Sequence, residues 1–173
     1  AKDPPLHTPE GFHAPRTRAE FAQLRQALPQ AQVLAGSTDI GVWVNKQFRS
    51  LPELIYIGRV AELRLIDVND DRLHIGAAAP LDAAWQALVR DWPTLQDVWL
   101  RFASPPIRGS GTMGGNVANG SPIGDSMPLL IALGTRIVLM NERGERELPL
   151  EALYTGYRQN VMGPDEVLAF IKV

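Results

Sequence analysis

Apolar residues recur at helical spacing in four stretches of the chain. The first stretch follows Thr17 and Glu20, which have the Thr-x-x-Glu spacing of a capping box, and Pro29 ends it. Pro93 separates the second stretch from the third, because proline cannot continue a helix. The spacing predicts helices over residues 18–28, 81–91, 94–102 and 126–133.

Short apolar runs bounded by turn residues predict β-strands. Polar turns at residues 69–71 and 141–144 each join two such runs, so we expect two β-hairpins. The final run resembles a buried strand, which suggests that the natural sequence continues. The predicted strands cover residues 31–35, 54–57, 63–68, 73–77, 136–140, 146–148 and 167–173.

The pattern breaks between residues 107 and 125, a stretch with six glycines and two asparagines. Glycine contributes no burial, so a dense run indicates positive φ angles or a ligand pressed against the backbone. A connection of this length is either functional or disordered. The small apolar residues Val117, Ala118 and Ile123 favour an ordered loop that serves as a ligand cradle.

A second loop of small residues follows the predicted strand 31–35. It consists of residues 36–39, Gly-Ser-Thr-Asp, and a helix begins at Ile40. A strand, a small polar turn and a helix start can present backbone N–H groups to a phosphate. Taken alone, the turn is better explained by simple helix capping, because Ser, Thr and Asp are common capping residues. The presence of two such loops in one domain favours a ligand.

Three individual side chains are candidates for specific roles. Phe102 ends its predicted helix directly before the glycine-rich segment, where an aromatic ring can stack on a flat ligand. Asp125 lies near the start of helix 126–133, so its carboxylate can cap that helix, bind a ligand hydroxyl, or both. His74 has no second histidine or carboxylate at ligand spacing, which makes it structural.

Composition narrows the classes of function. The chain has 173 residues, 45% of them hydrophobic, and a net charge of −2, which suits one well-buried core and gives no electrostatic case for nucleic acid. No apolar run approaches the length of a membrane span, so we expect no membrane association and a cytoplasmic location. Cysteine is absent, which excludes thiolate metal ligands and cysteine-bound iron–sulfur clusters within this chain.

Residues 109–114 match G-x-G-x-x-G, the dinucleotide-binding motif of Rossmann folds, but the context differs. That motif follows a hydrophobic strand and opens a helix, whereas Ser-Pro-Pro-Ile-Arg precedes residue 109 and residues 116–122 have a loop composition. The regular β-α-β order of a doubly wound sheet is also missing. We therefore expect a non-Rossmann fold.

Residues 33–41, 111–116 and 121–125 together resemble the FAD-binding domain of the molybdenum hydroxylases, the family of xanthine dehydrogenase and xanthine oxidase. Within that family the chain is most similar to the small subunit of the bacterial enzymes, and the resemblance extends from about residue 11 to residue 173. It implies an α+β, two-lobed FAD-binding domain of the PCMH type. The implied divisions are a linker (1–16), an N-terminal FAD-binding lobe (17–76) and a second FAD-binding lobe (77–173) that is truncated at its C-terminus.

The resemblance also implies which residues hold the cofactor. In the first loop, backbone N–H groups and two hydroxyls would wrap the pyrophosphate, and the residues are Val33, Leu34, Ala35, Gly36, Ser37, Thr38, Asp39 and Ile40. In the glycine-rich segment the contacts to phosphate and ribose would come from Thr112, Gly115, Asn116 and Asn119, with Asp125 accepting hydrogen bonds from ribose hydroxyls.

Other implied positions surround the flavin ring. Phe102 and Leu168 would border it, and Tyr157 would lie near its NAD side. Neither run of contact residues, 33–40 or 112–125, contains an arginine, so peptide dipoles or the nearby Arg108 would balance the pyrophosphate charge. Ser37 replaces a glycine found in many members, a change that is tolerated if its φ is negative. Asn119 also departs from the family, where other members have threonine.

The implied function is electron transfer in a xanthine dehydrogenase-like oxidoreductase. FAD in this domain would receive electrons from 2Fe-2S clusters, after purine oxidation at a molybdopterin centre, and pass hydride to NAD. The iron–sulfur domain and the molybdopterin-binding subunit would be partners, and the fragment alone would be inactive. Alternatives are the flavin subunit of a hydroxylase for aldehydes, carbon monoxide or aromatic substrates, and a non-catalytic nucleotide-binding or assembly module. No catalytic acid or base and no metal ligand is expected in this chain.

Overall fold

The computed structural model describes residues 10–157 and 159–173, which fold into two sheets flanked by short helices. A parallel three-stranded sheet has the order β1-β3-β2. Its elements, with the helices beside it, are β1 (Phe12–His13), α1 (Arg18–Ala27), β2 (Gln32–Leu34), α2 (Ile40–Asn45) and β3 (Leu54–Tyr56).

Helix α1 begins as the capping box predicts. The hydroxyl of Thr17 accepts a hydrogen bond from the backbone N–H of Glu20 at 3.2 Å. The Glu20 carboxylate accepts one from the N–H of Arg16 at 2.7 Å, one residue before the expected donor. Strand β1 was not predicted. It falls inside the predicted linker, whose first nine residues lie outside the described part of the chain.

The second sheet is antiparallel and has the order β4-β5-β10-β6-β7. Both predicted hairpins are present in it, and the apolar run near residue 170 forms the central strand. Its strands are β4 (Ile66–Asn69), β5 (Arg72–Gly76), β6 (Arg136–Asn141), β7 (Gly144–Pro149) and β10 (Val167–Lys172). The predicted strand 63–68 begins late, because Ala61–Arg64 forms a 3-10 turn that buries Leu63. The division between the two sheets lies between residues 56 and 66, before the predicted lobe boundary.

A short ribbon of two strands follows β7. It comprises β8 (Tyr154–Gly156) and β9 (Gln159–Asn160), where the sequence predicts a polar loop over residues 156–158. Arg158 of that loop lies outside the described residues, and Tyr157 is exposed. A 3-10 turn, Leu150–Leu153, precedes the ribbon where a helical turn is predicted.

The segment that connects β5 to β6 within the antiparallel sheet contains five helices among the described residues: α3 (Leu81–Asp91), α4 (Gln96–Arg101), α5 (Pro105–Ser110), α6 (Met113–Asn119) and α7 (Ser126–Ala132). Helices α3, α4 and α7 confirm three of the helices that apolar periodicity predicts. The prediction of a loop over 107–125 is wrong, because that stretch contains most of α5 and all of α6. Thr112 caps α6, and Gly120 ends it with a φ of 56°.

Two clusters of buried side chains stabilise this arrangement. The main core lies between the helices and the antiparallel sheet and includes Trp85, Leu88, Phe102, Met113, Leu130, Leu139 and Leu168. The second core joins the two sheets, and it includes Phe21, Ile55, Leu63, Met140 and Ala169. Because the second core draws on both sheets, they pack as one body. No helix among the described residues is long and apolar enough to span a membrane.

Two glycines in the helical segment differ sharply in the space around them. A Cβ added to Gly114 would lie 2.4 Å from the Cβ of Ala77, whereas one added to Gly109 meets nothing within 4 Å. We expect Gly114→Ala to destabilise the fold by about 1–3 kcal/mol through overpacking. Gly109→Ala should raise stability by up to about 1 kcal/mol, since alanine favours helix. Urea unfolding of both variants measures this, and equal stability of the two would contradict the packing described here.

Candidate functional site

The first loop lies directly against the glycine-rich segment. Gly36, just beyond β2, is so close to α5 that an added Cβ would lie 2.1 Å from the backbone oxygen of Ser110 and 2.6 Å from the Cα of Gly111. Only glycine permits this approach, since no side chain can shift to relieve a backbone contact. The structure therefore brings together the two loops that the sequence singles out.

Two further contacts join the same loops. A Cβ added to Gly111 would lie 3.4 Å from the hydroxyl oxygen of Thr38. Near the other end, the side-chain amide of Asn119 donates to the carboxylate of Asp39 at 3.4 Å. Asn119 and Asp39, both predicted cofactor contacts, are thus neighbours across the cradle.

The first loop presents free backbone donors. The N–H groups of Ser37, Thr38 and Asp39 donate no backbone hydrogen bond within the described part of the chain. The carbonyl of Ser37 accepts from Gly41 at 2.8 Å, which ties the loop to α2. Ser37 has a φ of 63°. The replacement of the family's glycine by Ser37 was expected to be tolerated if φ were negative, and that condition is not met. Left-handed backbone in a turn helps successive N–H groups to converge on an anion.

The glycine-rich segment is held on its other side by the chain leading into α3. The N–H of Leu81 donates to the carbonyl of Gly111 at 2.8 Å, and the N–H of Gly114 donates to that of Ala77 at 3.1 Å. These bonds, with the close packing of Gly114, fix the start of α6. The cradle is therefore ordered by tertiary contacts rather than by helix propensity.

Thr112, which caps α6, and Asn116 within α6 each accept one hydrogen bond from the protein and retain an unused donor group. The hydroxyl oxygen of Thr112 accepts from the N–H of Gly115 at 3.1 Å, so its own O–H remains available. The side-chain oxygen of Asn116 accepts from the hydroxyl of buried Ser126, which leaves its amide N–H groups. Gly115 is exposed, and a Cβ placed there would meet only the hydroxyl of Thr112, at 2.9 Å.

Asp125 is exposed and precedes α7. Its side chain makes no capping hydrogen bond to that helix. Of the two roles predicted from the sequence, capping is wrong. The binding of a ligand hydroxyl stays a prediction, and the exposed carboxylate is available for it.

The predicted flavin neighbours lie mainly in the core. Phe102 is 7% exposed and packs against Trp85 at 5.2 Å between ring centroids, and Leu168 is 6% exposed on β10. Both belong to the main core, so little of either surface is free for a ligand. The apolar members of the first loop are half-buried, and they are Val33, Leu34, Ala35 and Ile40. Any contact from these four must come mainly from the backbone.

Arg108 does not face the cradle as a free cation. Its guanidinium donates to the carboxylate of Asp82 at 3.1 Å and to the carbonyl of Phe102 at 2.7 Å, and the residue is 8% exposed. The alternative in which Arg108 balances the phosphate charge is therefore wrong, because its charge is already paired.

Tyr154 is a supporting residue that the sequence pattern did not reveal. Its hydroxyl donates to the carbonyl of Val117 at 2.8 Å, and its ring lies over Gly120 at the end of α6. Burial raises the pKa of Tyr154 to about 12, so the hydroxyl stays a donor at physiological pH. No motif in the sequence indicates a contact between residues so far apart.

The site is an open cradle, not an enclosed cavity. Two grooves of about 670 and 410 Å³ flank α1, and neither is lined by a predicted cofactor residue. The N–H groups of residues 37–39 have no backbone acceptor, and Gly36 approaches the backbone of Ser110 closely, which are features of a site for a phosphate-containing ligand.

Comparison with known proteins agrees with this geometry. A family model described as the FAD binding domain in molybdopterin dehydrogenase matches residues 8–173. Xanthine dehydrogenase of Drosophila subobscura is 33% identical in an alignment that covers 91% of this chain and 13% of that protein. The carbon monoxide dehydrogenase medium chain of Hydrogenophaga pseudoflava is 31% identical over 165 residues, covering 94% of this chain and 58% of that one.

A solved structure shares the fold. Reconstituted CO dehydrogenase from Oligotropha carboxidovorans matches with a TM-score of 0.85 at 29% identity, covering 94% of this chain and 58% of that chain. This chain thus spans less than two thirds of the length of each of these relatives. The match confirms the α+β, non-Rossmann FAD-domain fold that the resemblance implied. The chain belongs to the family of FAD-binding domains of molybdopterin dehydrogenases.

Proposed function

We propose that this chain holds FAD in the cradle formed by residues 36–39 and 111–125. The observation that carries the proposal is the backbone contact of Gly36 with Ser110 and Gly111. This contact, with the hydrogen bond from Asn119 of α6 to Asp39, supports a site shared by the first loop and α6. A pyrophosphate needs several convergent donors, and this arrangement supplies them without a charged side chain.

Different residues of the cradle would contact the pyrophosphate and the ribose of FAD. The N–H groups of Ser37, Thr38 and Asp39 would bind pyrophosphate oxygens, and the absence of a side chain at exposed Gly115 would let the cofactor approach the backbone of α6. Asp125 accepts hydrogen bonds from ribose hydroxyls. The flavin supplies the redox chemistry when bound, and the protein positions it and tunes its potential.

For the whole protein we propose an electron-transfer role in a xanthine dehydrogenase-like oxidoreductase. The relatives named above support it, since xanthine dehydrogenase and carbon monoxide dehydrogenase share this domain. An iron–sulfur domain would deliver electrons from a molybdopterin-binding subunit, and NAD would accept hydride. The proposal includes a cytoplasmic location and no turnover by the isolated domain.

Two other functions make different predictions. Similarity to the carbon monoxide dehydrogenase medium chain supports a flavin subunit for another substrate, which activity assays with xanthine and carbon monoxide distinguish. A non-catalytic module would bind a nucleotide without redox chemistry.

The visible spectrum of the purified protein tests the proposed cofactor. We expect flavin absorption close to one FAD per chain, because the cradle offers both pyrophosphate donors and a ribose acceptor. A colourless protein that added FAD does not reconstitute would contradict the proposal and favour the non-catalytic module.

Replacing Gly115 by valine tests the phosphate side of the cradle. The branched side chain would project into the space where the cofactor approaches, so FAD retention should be lost while the far-UV circular dichroism stays unchanged. Gly109→Val is the matched control, since Gly109 is also an exposed helical glycine but has open space around it. Wild-type flavin content in Gly115→Val would exclude this position from the site.

Replacing Asp125 by alanine tests the ribose side. Loss of a charged acceptor should weaken FAD binding by about 1–3 kcal/mol, measured by flavin fluorescence titration. Asp97→Ala removes an equally exposed carboxylate on α4 and should leave affinity unchanged. An equal effect of both variants would indicate general electrostatics rather than a ribose contact.

A further inference from the structure

Arg108 joins two helices at a sharp corner. Its Nη1 atom donates to the carbonyl of Phe102 at 2.7 Å and to that of Trp99 at 3.4 Å, both at the C-terminal end of α4. The last carbonyls of a helix lack some of their intrahelical donors. Here the N–H of Phe102 donates to the carbonyl of Trp99, and the buried arginine adds a second donor to that carbonyl and donates to the carbonyl of Phe102. The connection to α5 includes Ala103 with a φ of 49°, so the corner is strained and needs such support.

Asp82, in the first turn of α3, is the centre of the same network. Its carboxylate accepts from the Nε of Arg108 at 3.1 Å, from the indole N–H of Trp99 at 3.1 Å and from the amide of Gln86 at 2.9 Å. Burial alone would raise the pKa of Asp82, but the hydrogen bonds from Trp99, Arg108 and Gln86 outweigh it and lower the pKa. The network thus ties α3, α4 and α5 together through a charged pair.

The network is one residue away from the cradle. Leu81 donates its N–H to the carbonyl of Gly111 in the cradle. The next residue, Asp82, accepts the hydrogen bond from the guanidinium of Arg108. Arg108 in turn is two residues before Ser110, whose carbonyl oxygen lies against Gly36. A shift of α5 relative to α3 would therefore move the contact between the two loops.

We propose that Arg108 is a positioning residue for FAD, acting through the placement of residues 110–112 against the first loop. The inference rests on the proposed function. Arg108 acts here through its protein contacts rather than on the ligand, because its Nε donates to Asp82 and its Nη1 to the two carbonyls. Its planar fork meets three acceptors at once, which lysine cannot reproduce.

The test compares FAD affinity in Arg108→Met with affinity in a variant of similar stability loss. Methionine keeps the apolar stem and removes every donor. Leu148→Ala is the control, since Leu148 packs against the main core from β7 and has no part in the network. Both are titrated with FAD in the full-length protein, at a temperature where circular dichroism shows them folded. We expect Arg108→Met to bind about tenfold more weakly or worse, and the control to stay within about twofold of wild type.

Asp82→Asn keeps the test decisive if Arg108→Met does not fold. It retains the size of the side chain and weakens the hold on Arg108, so FAD affinity should fall by about threefold to tenfold. In the double variant the second substitution should add little, because both residues act through one contact. Wild-type affinity in folded Arg108→Met or Asp82→Asn would overturn the positioning role alone. Failure of the wild-type protein to bind FAD would overturn the proposed function and this inference with it.

Discussion

The close approach of Gly36 to the backbone of Ser110 and Gly111 is the constraint on which the site depends. Two segments more than seventy residues apart in sequence meet there without room for a Cβ atom. The parallel sheet delivers one of them at the end of β2, and the chain before α3 holds the other by backbone hydrogen bonds. The shared second core keeps the two sheets from moving apart, so the loops stay in register.

Backbone groups and side chains have different roles in the proposed site. In the proposed site, the N–H groups of the first loop would bind the anion, while the hydroxyl of Thr112 and the side-chain amide of Asn116 each retain a donor for the cofactor. The nearest buried arginine is used for the corner between α4 and α5. A phosphate bound here would thus be neutralised by peptide dipoles, which cost little reorganisation because tertiary contacts already orient them.

Local pattern predicted the regular elements well. Helix α3 has the predicted limits, and the hairpin at residues 69–71 forms as expected, because periodicity and turn chemistry act over a few residues. The helices within 107–125 could not be predicted, since glycine disfavours helix and contacts such as that of Gly114 with Ala77 stabilise them instead. The conformation of Ser37 and the pairing of Arg108 with Asp82 also depend on distant residues. The resemblance linked the two loops, and the structure brings them into contact at Gly36, while their role as one cofactor site stays a prediction.

Amide hydrogen exchange of residues 37–39, measured with and without FAD, tests the central claim most directly. Their N–H groups have no backbone acceptor in the described structure, and the account assigns them to the pyrophosphate. Added FAD should therefore slow exchange at all three amides, and Gly109 in the neighbouring helix should change far less. Unchanged exchange at Ser37, Thr38 and Asp39 in protein that has bound FAD would contradict the assignment of this cradle to the cofactor.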